Sequence, residues 1–184
     1  MLPVRRLLAV ALVAGGALVA TSLPAVATTA TATLTGGTLG FVAAPASTGF
    51  SVSLTGKDVV STATQTFDVG DATGSGAGWN ITATSTSFTA GTHSLAPPSV
   101  TVQAVPTVAC DSGASCTTAT NGVSYPYTLP AGTTAPTATK IFSSAANTGL
   151  GNQTVTVVFQ LATPASTFAG SYGSTWTYTL VSGP

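Results

Sequence analysis

Between residues 49 and 181 apolar side chains recur at every second position in short runs, separated by clusters of Gly, Pro, Ser and Asn. Alternation of this kind turns one face of an extended segment toward a core and the other toward water. It predicts strands over residues 49–54 (Phe50, Val52 and Leu54 on one face), 65–69 (Phe67, Val69) and 78–84 (Trp79, Ile81, Ala83). Further strands are expected over residues 99–105 (Val100, Val102, Ala104) and 123–129 (Val123, Tyr125, Tyr127, Leu129). Two more follow at residues 153–161 (Val155, Val157, Phe159, Leu161) and 175–181 (Trp176, Tyr178, Leu180). Pro126 makes its run an edge strand or a bend, because proline cannot donate to a ladder. Helical periodicity is weak. Only residues 137–149, with Ala138, Ile141, Phe142, Ala145 and Ala146, read as a helical turn or two, which Gly149 would stop. Residues 28–40 are either a first edge strand or a flexible start. Seven or more strands joined by turn residues predict an all-β fold: a single-domain antiparallel β-sandwich with little or no helix.

The N-terminus follows a different pattern. Arg5 and Arg6, an apolar run over residues 7–19 and the sequence Ala25-Val26-Ala27 have the layout of a secretory signal ending in an A-x-A cleavage site. A membrane span needs roughly twenty apolar residues, and this run is shorter and broken by Gly15-Gly16. The expected organisation is a signal peptide over residues 1–27 and one domain over residues 28–184. A chain of that size hides about 70% of its unfolded surface, enough for a real core. The expected product is secreted, with no membrane span after cleavage.

Charge narrows the functional classes. Both arginines leave with the signal, so Lys57 and Lys140 face Asp58, Asp68, Asp71 and Asp111, for a net charge of −2 and no glutamate. Nucleic acid is set aside as a partner, since cations are too few to neutralise phosphates. Threonine supplies about a fifth of the residues after Ala27, and it makes a polar sheet face without charge. Cys110 and Cys116 bracket five residues, and export favours a local structural disulfide between them over a redox pair or a zinc site. Closing so short a loop stabilises by about 2 to 3 kcal/mol, which orders a loop without holding up a domain. Catalysis finds little material. The one histidine, His93, sits in a turn-like Gly91-Thr92-His93-Ser94, and no G-x-S-x-G elbow is present. Asp68 and Asp71 suit an Asx turn better than a calcium loop or a glycosidase pair. No cofactor is expected.

The remaining signal lies in the two tryptophans. A glycine-rich turn, Gly74-Ser75-Gly76-Ala77-Gly78, leads into Trp79-Asn80-Ile81-Thr82-Ala83, with Phe88 and Leu95 downstream. Near the C-terminus Tyr172-Gly173-Ser174-Thr175 leads into Trp176-Thr177-Tyr178-Thr179-Leu180. This pair of segments resembles the WxL domain, a surface module of Gram-positive bacteria with two distant Trp-x-Leu motifs. The resemblance covers most of the chain after the signal. Ile81 and Tyr178 stand where that family has leucine, so the chain looks like a divergent member. The resemblance implies non-covalent binding to cell-wall peptidoglycan through Trp79, Asn80, Ile81, Trp176, Thr177 and Tyr178. Taken alone, each tryptophan fits a core position better than a ligand contact, Trp176 being the better binding candidate of the two. The alternative is a structural or self-assembling surface subunit, or a partner of other secreted wall proteins, that binds by strand addition at an uncharged edge. Export is expected to remove residues 1–27, and intact mass spectrometry of the secreted protein checks this: a mass beginning at Thr28 is the expected result.

Overall fold

The computed structural model describes residues 29–184, so the expected signal segment lies outside the described residues. One compact unit spans Thr35–Pro184. Residues 29–34, the described part of the unit Met1–Leu34, are exposed and carry no regular structure.

Among the described residues there are twelve strands and no helix. They are β1 (Leu39–Phe41), β2 (Val59–Asp71), β3 (Trp79–Thr86), β4 (Thr89–Ala90), β5 (His93–Ser94), β6 (Val100–Val102), β7 (Thr107–Cys110), β8 (Tyr127–Thr128), β9 (Ala131–Gly132), β10 (Thr139–Ser143), β11 (Gly151–Thr163) and β12 (Trp176–Ser182). The larger sheet runs β1-β2-β11-β6-β8, with β7 beside β6 on the same edge of β11. The smaller sheet runs β10-β3-β12, and β9 joins β3 in parallel. β4 and β5 form a separate hairpin.

The longest ladder joins β2 to β11 without a register break, from Gly151 opposite Asp71 to Thr163 opposite Val59. The pattern of the two strands explains it. Gln65, Phe67 and Val69 on β2 lie opposite Val157, Val155 and Gln153 on β11, and all six are buried. The intervening positions Thr62, Thr64 and Thr66 are exposed, so branched threonines maintain the extended backbone on the wet face. A slip of one residue would exchange these two sets, which is why the register holds over the whole length.

The two sheets meet in one core. The Phe67 ring of the larger sheet lies 4.7 Å from Tyr178 of the smaller in an edge arrangement, and Phe159 lies 4.8 Å from Trp176 in another. At the opposite end Trp79 is fully buried and stacks on Phe142 at 5.4 Å. Its Nε1 donates to the Gly149 carbonyl at 2.9 Å, satisfying the one polar atom of a large apolar side chain. One glycine lets the chain pass close to the backbone of residues 144–145, and a second makes room for the ring. Gly78 holds φ at 74°, and a Cβ there would meet the Ser144 carbonyl at 2.6 Å. Gly149 holds φ at 85°, and a Cβ there would lie 2.5 Å from Trp79 Nε1.

Three sequence expectations are corrected. Residues 49–54 form no strand: Phe50 and Val52 are half-buried and Leu54 is exposed, so the apolar residues lie across the end of the core where no neighbouring strand offers a ladder. Residues 137–149 hold strand β10 instead of a helical turn. A register shift between Lys140 and Phe142 lets Ile141 and Phe142 both be fully buried, and that bulge breaks the alternation that would have marked a strand. The run at 123–129 pairs only over Tyr127–Thr128, just past Pro126, as a bend at proline requires. Of the described residues 29–40, only Leu39 and Gly40 join a strand. Cys110 ends β7 and is disulfide-bonded to Cys116, with 5.6 Å between their Cα atoms.

Trp79→Ala is expected to destabilise the domain by about 3 to 5 kcal/mol. Gly149→Ala is expected to destabilise it by about 2 to 5 kcal/mol, combining backbone strain with a clash against Trp79. Gly56→Ala, at a similar φ of 75° but with open space around the added methyl, should show the strain alone. Thermal unfolding of the three variants beside the parent separates these contributions.

Candidate functional site

β11 continues past Phe159, the last of its residues in aromatic contact with the smaller sheet. Its inward positions run Val155, Val157, Phe159, Leu161 and Thr163, and the residues that line open space together with Leu161 and Thr163 all lie outside strands. Two irregular segments cover the protruding end. One holds residues 45–54, where the Thr48 hydroxyl donates to Gln65 Oε1 and the Phe50 ring meets Phe88 and Trp176, each at 6.1 Å. The other is the return from β11 to β12. Ala165 N–H donates to Asp58 Oδ1 at 2.8 Å, and Tyr172 O–H donates to the Phe168 carbonyl at 3.0 Å. Gly173 and Thr89 exchange two backbone hydrogen bonds of 2.9 Å, and Ser174 O–H donates to the Thr86 carbonyl at 2.6 Å.

Two adjoining hollows open between these segments. The larger has a volume of 790 Å³ and is lined by Phe50, Phe88, Leu161, Thr163, Phe168 and Tyr172, among others. The smaller, of 440 Å³, reaches Trp176 and Tyr178, and both share Thr48, Phe88 and Tyr172. No Asp, Lys or His lines either one. Phe168 stands at the lip, 63% exposed, with the His93 ring stacked on it at 4.1 Å.

The residues named from sequence divide between core and groove. Trp79, Asn80 and Ile81 are buried, and Asn80 Nδ2 donates to the Gly183 carbonyl at 2.7 Å. Trp176 and Tyr178 are half-buried and line the smaller hollow, while Thr177 points to solvent. The motifs lie on paired strands, since Leu180 is opposite Ile81 and Tyr178 opposite Ala83. The two tryptophans do not meet. Trp176 pairs with Ser85 and Trp79 with Ser182, at opposite ends of the ladder, about 20 Å apart at about 3.4 Å per residue. Trp176 joins Phe50, Phe88, Phe159 and Tyr178 in an aromatic cluster, and its Nε1 donates to Ser174 Oγ at 3.0 Å. Phe168 and Thr163 carried no sequence signal as site residues, and Tyr172 entered only as the start of the segment leading into Trp176. They lie outside the alternating runs or at the end of one, and only the chain path brings them to the groove.

Asp68 and Asp71 project to opposite faces of β2. Asp71 Oδ1 accepts from Thr73 N–H at 3.0 Å and from Thr73 O–H at 2.7 Å, the Asx-turn arrangement. Desolvation, and then repulsion from the Asp111 carboxylate, pushes Asp68 above the ordinary carboxylate range. Asp111 in turn accepts from Thr154 O–H at 2.8 Å. Compared with known proteins, the chain matches no family model, no curated protein and no solved structure.

Three tyrosines titrate abnormally. Burial is the main cause in each case, pushing Tyr125 up to about 12 and raising Tyr127 and Tyr178. Tyr125 O–H donates to the Ile141 carbonyl at 2.6 Å, and Tyr127 shares a 2.8 Å hydrogen bond with Thr139 Oγ1, so both tie the 121–128 segment to β10. The Tyr178 hydroxyl is buried without a hydrogen-bond partner. Thr48 lies near enough to offset part of its rise, but the Thr48 proton goes to Gln65. An unfolded tyrosine loses its proton near pH 10, while these three keep theirs to higher pH in the fold. The unfolded state therefore binds fewer protons in that window, and stability falls as pH rises above about 10. A tyrosinate absorbance titration beside a circular-dichroism titration is expected to show late ionisation coinciding with loss of strand signal.

Proposed function

We propose that this is a secreted, non-catalytic cell-surface protein, resembling WxL domains, that binds bacterial cell-wall peptidoglycan without a covalent link. One observation carries the reading: two joined hollows lined by Phe50, Phe88, Phe168, Tyr172, Trp176 and Tyr178, with no Asp, Lys or His among their lining residues. Sugar rings present C–H faces that stack on aromatic rings, and neighbouring Ser and Thr hydroxyls exchange hydrogen bonds with sugar hydroxyls at no ionic cost. The disulfide suits an oxidising compartment outside the cytoplasm. In this reading Trp79, Asn80 and Ile81 serve by holding β3 in place, and contact with the wall falls to Trp176 and Tyr178.

A rival reading has its own observation. β12 is the edge of the smaller sheet, seven residues long with neither charge nor proline, and such an edge accepts a further strand. It would make the protein a self-assembling subunit or a partner of other secreted wall proteins.

Co-sedimentation with purified sacculi distinguishes the two. The parent protein is expected to pellet with sacculi, and Trp176→Ala to weaken retention by about 2 kcal/mol, the scale of an aromatic hot spot. A folded Trp176→Ala protein that pellets like the parent would remove Trp176 from the binding surface. Growth of the sedimentation coefficient with concentration in the absence of sacculi would select the strand-addition reading.

A further inference from the structure

We propose that the larger hollow is a subsite for an uncharged pyranose ring, with Phe168 as its stacking platform and Thr163 as a polar contact. This rests on the wall-glycan reading above and narrows it to the neutral sugar backbone, as opposed to anionic wall polymers or charged peptide stems.

Four features of the hollow carry the inference. The first is Phe168. A phenylalanine 63% exposed is unfavourable on a lone surface, yet here the ring is positioned: His93 stacks on it at 4.1 Å with only 18° between the planes. The backbone of the same residue is held too, because the Tyr172 hydroxyl donates to its carbonyl. A pre-positioned ring at the lip of a groove loses little freedom when a sugar face settles on it.

The second feature is an excess of unmet hydrogen-bonding capacity beneath that lip. Thr163 is 6% exposed and its Oγ1 is buried with no hydrogen-bond partner. Ser61 Oγ is in the same condition, and Ser61 lies opposite Leu161, one inward position along the ladder from Thr163. Buried hydroxyls without partners are costly, and two of them converge where β2 and β11 outrun the smaller sheet. Thr163 also lines the groove, and a change of χ1 rotamer moves its hydroxyl into the place that its methyl or its Cβ hydrogen holds. A sugar hydroxyl is then its partner.

The third feature is charge. The lining residues are apolar, aromatic or hydroxyl-bearing, with Ser51, Thr167 and Ser171 among the last. The Asp58 carboxylate accepts from Ala165 N–H and serves to hold the loop. No lining residue of the hollow is a cation that would pair with a phosphate or carboxylate, so an anionic polymer gains nothing here to offset its desolvation. The fourth feature is size. A volume of 790 Å³ falls within the range of about 300 to 1,000 Å³ typical of small-molecule sites, room for more than one pyranose ring.

The test is a titration of the full exported protein with soluble N-acetylglucosamine tetramer, followed by tryptophan fluorescence and calorimetry, beside the sacculus assay. Phe168→Ala removes an exposed ring and is expected to leave the melting temperature unchanged while weakening tetramer binding about tenfold. Thr163→Val replaces an unpartnered hydroxyl by a methyl of equal size. It is expected to hold or raise the melting temperature and to weaken binding about fivefold. A merely structural role for Thr163 would move stability and leave affinity alone. A glycerol-phosphate polymer is expected to bind at least about tenfold more weakly than the tetramer. Sacculus binding without tetramer binding, tetramer binding indifferent to both substitutions, or equal affinity for the anionic polymer would each overturn this inference while leaving wall attachment standing. Tetramer binding weakened by both variants in a protein that ignores sacculi would support the subsite and overturn the wall-attachment reading.

Discussion

The unbroken ladder between β2 and β11 is the constraint on which the rest of the molecule depends. Thirteen residues on each strand pair in a single register, so one face of the larger sheet carries a mainly apolar stripe centred on Phe67, Val69, Val155, Val157, Phe159 and Leu161, and the other a threonine-rich, mainly polar face. The stripe gives the smaller sheet something to pack against, through Phe67 and Phe159 reaching Tyr178 and Trp176. The same length creates the groove. β3 and β12 are shorter, at eight and seven residues, and they leave Leu161 and Thr163 for irregular chain to cover. Irregular chain covers a sheet face less completely than a strand-borne layer does, because its backbone must also find hydrogen bonds among side chains and loops.

The two tryptophans divide the work of the smaller sheet. Trp79 enters β3 through glycines that no other residue could replace without strain or collision, and its indole N–H is bonded to Gly149. Everything around it is closed. Trp176 enters β12 from the groove side, bonded only to the hydroxyl of Ser174 two residues earlier, and its aromatic neighbours Phe50 and Phe88 belong to the groove lining. Both point inward on paired strands, so their different surroundings come from what lies beneath each end of the ladder. Where Phe142 stacks on it and the Gly149 carbonyl accepts its N–H, the indole is sealed. Where β11 runs on without a strand above it, the indole borders open space.

A surface with so little charge is consistent with the same plan. Threonine on the outer positions keeps the strands extended and wet without ion pairs, and loops rich in Ser, Gly and Ala surround an aromatic groove. An electrically quiet site of this kind discriminates by shape and hydroxyl geometry. Long-range steering contributes little to it, since that depends on a field these residues do not generate.

The sequence by itself determined the all-β class, the inward faces of β2, β3, β11 and β12, an interruption of regular pairing at Pro126 and the pairing of Cys110 with Cys116. Each of these follows from local chemistry: alternation has a period that only an extended chain satisfies, proline lacks a donor, and two cysteines six positions apart can close on each other. Tertiary structure decided the remainder. Residues 49–54 alternate as well as any strand does, yet they pair with nothing, because a strand exists only where a neighbour offers its edge. Residues 139–143 lost their alternation to a bulge and became a strand regardless, since β3 supplied that edge. The groove was illegible for the same reason. Phe168, Thr163 and Trp176 are far from Phe50 and Phe88 along the chain, and what joins them is the difference in length between two ladders, a property of how sheets stack that no single segment encodes.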